Sequence, residues 1–148
     1  MIIVSTDPVN AAELLAEFTK SARGSGGIVT FSGQVRPFSQ QGKVKTLSLT
    51  VYSPLTENGI KAAVKAAETR WDLENVLVAH RTGDMFPGDT IVFVAAASKH
   101  RRAAFEAADF LMDYLKTEAV FWKKEITENG QAWIEPRAED YIDKNRWA

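Results

Sequence analysis

A chain of 148 residues, 45% hydrophobic and 25% charged, has enough apolar side chains for the core of a single globular domain, 1–148. Its 18 Lys and Arg are balanced by 19 Asp and Glu for a net charge of −1, which argues against a nucleic-acid protein and confines any basic site to a local patch. With no cysteine and two histidines, disulfides, thiolate metal sites, cysteine nucleophiles and His-rich metal centres are excluded.

Residues 1–5 are a short β-branched run and read as a strand. Asp7-Pro8 supply an N-cap and first helical residue for a helix with Leu14, Leu15 and Phe18 at helical spacing. Gly24, Gly26 and Gly27 close that helix and lead into a strand over 28–36. The glycines match neither G-x-x-x-x-G-K-[ST] nor a G-x-G-x-x-G that opens a helix, so they read as turn residues. Arg36 stands where the strand gives way to the polar loop 37–42, a place for a functional group on a rigid scaffold or for a solvated strand end. Residues 44–52 alternate as a half-buried strand, and Pro54 opens a helix with Ile60, Val64 and Ala67 on one face. Residues 75–82 and 90–97 read as a hairpin whose long tip, 83–89, is dense in breakers. His80 and Arg81 end its first strand, and a strand-end histidine without a ligand pattern reads as structural.

The polar chemistry is concentrated in 98–125, SKHRRAAFEAADFLMDYLKTEAVFWKKE. Ser98 suits an N-cap, which sets Lys99, His100, Arg101 and Arg102 over exposed N–H groups where acidic residues are the rule. A bound phosphate or carboxylate relieves that inverted charge; so does water, since exposed dipole effects reach only ~1 kcal/mol. The helix turns Ala104, Ala108, Leu111 or Met112, and Leu115 toward a sheet, with Phe105 and Phe110 flanking. Lys116, near its end, fits the helix dipole as well as a site. Val120-Phe121-Trp122 favour a strand in which Phe121, Lys123 and Glu125 share one face and Trp122, Lys124 and Ile126 the other. A lysine among aromatics and near a second cation has its charged form disfavoured, which moves its pKa toward the range useful for proton transfer. Residues 128–131, Glu-Asn-Gly-Gln, form a turn before a last strand, and a two-stranded ribbon follows the helix. The tail 136–148, with Tyr141, Ile142 and Trp147, either docks as a short helix or covers a neighbour. The fold class is α+β: a mostly antiparallel sheet, two or three packed helices and a C-terminal β-hairpin. No apolar run approaches the ~20 residues that span a bilayer, and MIIVSTDPVN lacks the pattern of a signal peptide; a cytoplasmic protein with no membrane partner is expected.

Three segments, GGIVTFSGQVR, VLVAHRTGDMFPGDTIVFVAAASKHRRAAFEAADFLMDYLKTEAVFWKKE and QAWIEPR, resemble the large, catalytic subunit family of molybdopterin synthase over most of the chain from Gly26 to Arg137. The resemblance implies an α/β hammerhead-like fold. It also implies a homodimer whose subunits each bind a small ubiquitin-like sulfur-carrier subunit, giving a heterotetramer. The implied reaction moves sulfur from the carrier's C-terminal Gly-Gly thiocarboxylate onto cyclic pyranopterin monophosphate (precursor Z), twice, making the dithiolene of molybdopterin in molybdenum cofactor biosynthesis. An outside sulfur donor agrees with a chain that has no cysteine, and no residue pattern requires a metal or cofactor.

Carried over by position, Lys116 and Lys123 match the family's catalytic lysines. Arg36, His100 and Arg101 match its substrate-phosphate and pterin-pocket residues, Gln34, Val35, Lys124 and Glu125 line the same site, and Arg137 matches a further basic pocket residue. The resemblance leaves room for part of each pocket to come from the other protomer. The chain departs from the family at Ala119-Val120, where many relatives carry Ala-Pro, and at Leu49-Thr50-Val51-Tyr52, where relatives often carry an acidic residue and a histidine before the tyrosine. Both departures bear on local geometry beside the site. The competing reading is a non-catalytic dimeric module that holds an anionic metabolite with residues 99–102.

Overall fold

Alternation builds the strands, and the apolar face of each strand decides what covers it. In the computed structural model, which describes residues 1–148, the chain runs β1 (Ile2–Ser5), α1 (Ala11–Ser21), β2 (Gly27–Gln34), β3 (Phe38–Ser39), β4 (Gly42–Val51), α2 (Leu55–Arg70), β5 (Leu73–Arg81), β6 (Gly83–Met85), β7 (Thr90–Ser98), α3 (Arg101–Thr117), β8 (Phe121–Thr127), β9 (Gly130–Ile134) and α4 (Ala138–Lys144). A 3-10 turn over Asn145–Trp147 ends it. No helix is long and apolar enough to cross a membrane.

The first sheet has the order β1-β5-β7-β2. Only β1 pairs in parallel, with Ile2 opposite Val78; β5–β7 and β7–β2 are antiparallel. The central strand β7 is buried on both faces from Val92 to Ser98, which is why its sequence is a continuous apolar run and not an alternation. Leu77, Ala79, Phe93, Ala95 and Ala97 face α1, where they meet Phe18 and Ala22. Val76, Val78, Val94 and Ala96 face α2 and α3, where Ile60, Val64, Ala107, Ala108, Leu111 and Leu115 close the larger core. Each large side chain buried there contributes about 1.5–3 kcal/mol.

The second sheet has the order β3-β4-β8-β9, with β6 also pairing β4. Its register sets Leu49 opposite Lys123 and Leu47 opposite Glu125, and Lys123 opposite Ile134 across to β9. The expected isolated ribbon is therefore corrected: β8 is an interior strand, because β4 supplies it with a second partner. The tip of the β5–β7 hairpin is likewise not a free loop, since β6 within it pairs β4 at Leu47, Ser48 and Leu49. Phe121 packs against both the larger core and the small core of Val35, Val44, Leu49 and Met85, joining the two sheets.

Three local expectations change. The cap of α1 is Asn10, whose side chain accepts from the Glu13 amide at 3.1 Å, not Asp7. Ser98 does not cap α3: it ends β7, paired with Gly27 and Leu73, and its hydroxyl donates to the Asp72 carbonyl at 2.7 Å. The sheet ladder outcompetes the cap, so Lys99 and His100 precede the helix and only Arg101 and Arg102 stand in its first turn. Gly26 is a close-approach residue and not a turn residue, because a Cβ there would lie 1.8 Å from the Lys99 carbonyl oxygen. The chain forms four α-helices where two or three were expected.

The tail folds back on its own α3. Asp113, buried in that helix, accepts from Arg146 at 2.8 Å and from the Trp147 indole N–H at 2.6 Å. Trp147 then meets Trp71 and Phe110 edge-on, with centroids 5.5 and 5.9 Å away.

Candidate active site

The end of α3 and the start of β8 bring two lysines to one place. Glu118 and Ala119 amides both bond the Tyr114 carbonyl, at 2.8 and 3.0 Å, which stops the helix at its last turn. The Thr56 hydroxyl donates to the Val120 carbonyl at 2.6 Å, fixing the crossing at the Ala119-Val120 departure, and Phe121 begins the strand. Lys116, from the last turn of α3, and Lys123, from the inner face of β8, line one cavity of about 510 Å³ with Gln34, Arg36, His80 and Glu125. An adjoining recess of about 230 Å³ shares Arg36, Lys116 and Lys123 and adds Arg137 and Asp140 from the tail. A third groove, about 700 Å³, follows α3 from Arg101 and Arg102 to Lys116 and Arg137, beside Phe31.

The electrostatics of the cavity are uneven. Burial pushes Lys123 down to about 8, the positive charge of Lys116 adds to the shift, and the Asp140 carboxylate opposes it. Burial likewise pushes His80 down to about 4; its bond to the Arg81 carbonyl works the other way, and the charges of Lys123 and Lys116 lower it further. His80 is thus a neutral imidazole at neutral pH, with its ring stacked on Phe121 at 4.3 Å. Desolvation raises the Asp140 carboxyl, but the bonds from the Arg137 side chain and amide, with the charges of Arg137 and Lys116, leave it below the usual carboxylate range. Glu125, buried, accepts a hydrogen bond from the Ser39 hydroxyl. Four cationic side chains against two engaged carboxylates make a place for an anion, and an amine that loses its proton near pH 8 can take up a proton there. No group of three or more His, Asp or Glu stands together to hold a metal ion.

The family model described as "MoaE protein" matches residues 4–118. The chain belongs to the MoaE protein family. Among the MoaE relatives, the molybdopterin synthase catalytic subunit of Yersinia pestis is 48% identical over 122 residues, which cover 82% of this chain and 81% of that one. The protein of the same name from Caulobacter vibrioides is 44% identical over 148 residues, covering 99% and 97%. The solved structure of the molybdopterin biosynthesis MoaE protein from Burkholderia ambifaria superposes with a TM-score of 0.83 at 35% identity, covering 99% of this chain and 97% of that one. The mixed, mostly antiparallel α+β architecture is that of MoaE proteins.

Within this MoaE chain, five of the residues singled out by position, Gln34, Arg36, Lys116, Lys123 and Glu125, line the same cavity, and Arg137 lines the adjoining recess. The others lie elsewhere. Val35 is 4% exposed and points into the small core with Val44, Leu49 and Met85, because strand alternation turns it away from its neighbours Gln34 and Arg36. Lys124 is on the opposite face of β8 from Lys123, its ammonium 6.0 Å from the Trp133 ring centre. His100 and Arg101 stand at the far end of α3, roughly 22 Å of helix from Lys116, and Arg101 reaches only the outer groove. Sequence reasoning missed three groups that border the lysines or hold their neighbours: His80, Asp140 and Ser39. His80 carried one signal, its place at a strand end before a breaker-rich loop; Asp140 and Ser39 carried none, since their partners are fixed by folding.

Proposed function

We propose that this MoaE-family chain is the catalytic subunit of a molybdopterin synthase. It acts as a sulfurtransferase that moves sulfur from the C-terminal thiocarboxylate of a small carrier subunit onto cyclic pyranopterin monophosphate. The observation that carries the reading is the convergence of Lys116 from α3, Lys123 from β8 and Arg36 from the connection between β2 and β3 on one cavity of about 510 Å³. The shared name of the relatives, catalytic subunit of molybdopterin synthase, supports both the reaction and the existence of a partner subunit.

In this reading Arg36 and Arg137 hold the substrate phosphate, while Lys116 and Lys123 move protons and stabilise negative charge as the thiocarboxylate sulfur attacks the pterin side chain. Glu125 and Gln34 line the pocket wall. His100 and Arg101 lie too far along α3 to reach the lysines of their own chain, which supports a pocket completed across a homodimer and, with one carrier per protomer, a heterotetramer.

The test is conversion: the protein mixed with thiocarboxylated small subunit and precursor Z yields molybdopterin. Absence of product sinks the reading. Lys116→Ala is expected to cut turnover by about 10²–10⁴-fold, the usual scale for a group moving a proton, with dimer and small-subunit binding intact. Loss of folding in that variant would instead assign Lys116 to the scaffold.

A further inference from the structure

Asp140 is a carboxylate in a place that gathers cations. It is 9% exposed and lines the recess of about 230 Å³ together with Arg36, Lys116, Lys123, Glu135 and Arg137. As a bare charge it opposes any anion that enters there, so its presence needs another cause. Closing the start of α4 accounts for one oxygen only: Oδ2 accepts the Arg137 amide N–H at 2.9 Å. The other oxygen, Oδ1, accepts from Nη2 of the Arg137 guanidinium at 3.1 Å. One buried side chain therefore holds both the backbone and the far end of the same arginine.

That arginine needs holding. Its side chain is 67% exposed, and a long exposed arginine samples many rotamers unless something fixes it. An ion pair with so open a partner adds little to stability; what it sets is direction. The guanidinium makes no other hydrogen bond within the protein, so its remaining N–H donors are free for a ligand. The frame that Asp140 supplies is that of α3. Arg146 pairs with Asp109 at 3.0 Å and with Asp113 at 2.8 Å, and Lys144 pairs with Glu118, which seats the tail on the helix that also carries Lys116. We propose that Asp140 is a positioning residue of the site: it holds the Arg137 guanidinium at the recess, in register with Lys116, so that the free N–H groups meet the substrate phosphate. The proposal rests on the reading that Arg36 and Arg137 hold that phosphate.

The two roles open to Asp140 predict opposite signs. Asp140→Asn keeps an oxygen for the Arg137 amide and removes the charge that holds the guanidinium. If Asp140 acts only as a charge, neutralising it tightens the binding of an anion; if it positions Arg137, binding weakens. Calorimetric binding of cyclic pyranopterin monophosphate to the full chain separates them, at about pH 6, where Lys123, with its value of about 8, is charged. Asp140→Asn is expected to weaken binding about 10-fold, the scale of one hydrogen bond to a charged group, with the tail as resistant to proteolysis as in the wild type. Arg137→Ala weakens it by a similar factor, and Asp140→Asn added to Arg137→Ala weakens it no further. Binding in Asp140→Asn that equals or exceeds wild type overturns the proposal, as does an equal further loss in the Arg137→Ala background. If Asp140→Asn unfolds or frees the tail, Asp140→Ser decides by the same signs, since its hydroxyl can still accept the amide and carries no charge. A wild-type protein that binds the pterin phosphate but makes no molybdopterin defeats the sulfur-transfer reading and leaves the proposal to the variants; one that binds none overturns the proposal.

Discussion

At Lys123 the ammonium form is disfavoured first by burial on the inner face of β8 and second by the charge of Lys116, and the result is a pKa of about 8 in place of 10.5. If the neutral amine is the working form, turnover under saturating substrate rises with pH through about 8 and then levels. Asp140→Asn, which removes the one carboxylate that raises Lys123, shifts that midpoint lower; a pH–rate profile unchanged by the variant would count against the assignment. The same shift has a thermodynamic sign. Between about 8 and 10.5 the unfolded chain binds more protons at this lysine than the folded one, so stability rises with pH across that window, and below it the lysine is a liability. Lys123→Met is therefore expected to be inactive yet more stable at neutral pH by about 1–3 kcal/mol, measurable by denaturant unfolding.

At the scale of elements, α3 is the beam to which the site and the tail are both fixed. Its apolar stripe was legible from spacing, as Ala104, Ala108, Leu111 and Leu115 are buried together. Its buried acid was not: Asp113 looks like an ordinary surface carboxylate until Arg146 and Trp147, more than thirty residues on, bond to it. Asp113→Ala leaves those donors unpaired and is expected to cost about 1–3 kcal/mol. It should also open residues 138–148 to limited proteolysis; a tail that stays protected would show that the aromatic contacts alone suffice. The β8 alternation was also legible, and it matters because a one-residue slip would exchange Lys123 for Lys124 or Trp122 in the cavity. The start of α3 was misread because a cap and a sheet ladder compete for the same residue, and the ladder of β7 with two neighbours prevails at Ser98.

For the whole molecule, a net charge of −1 coexists with a cavity and recess lined by Arg36, Lys116, Lys123 and Arg137. Attraction of an anionic substrate is then local and partly screened. Raising ionic strength to about 0.15 M, where the screening length is near 8 Å, is expected to raise KM for the pterin phosphate several-fold with kcat little changed. A salt-independent KM would place the phosphate away from these cations.

What the sequence determined by itself was whatever depends on neighbours along the chain. The kind of each main element, the apolar face of α3, the alternation that puts Lys123 and Glu125 on one side of β8, and the want of any cysteine all follow from period and composition. The tertiary structure alone decided which of the candidate residues meet. Lys116 and Lys123 share a cavity with His80 and Arg36 because Phe121 bridges two cores and β4 pairs with β8 in one register. Val35 and Lys124 are turned away by the same alternation, and Asp140 arrives only when the tail docks on Asp113. Those contacts join residues tens of positions apart, and their selection depends on burial and packing of surfaces that exist only after the chain has folded.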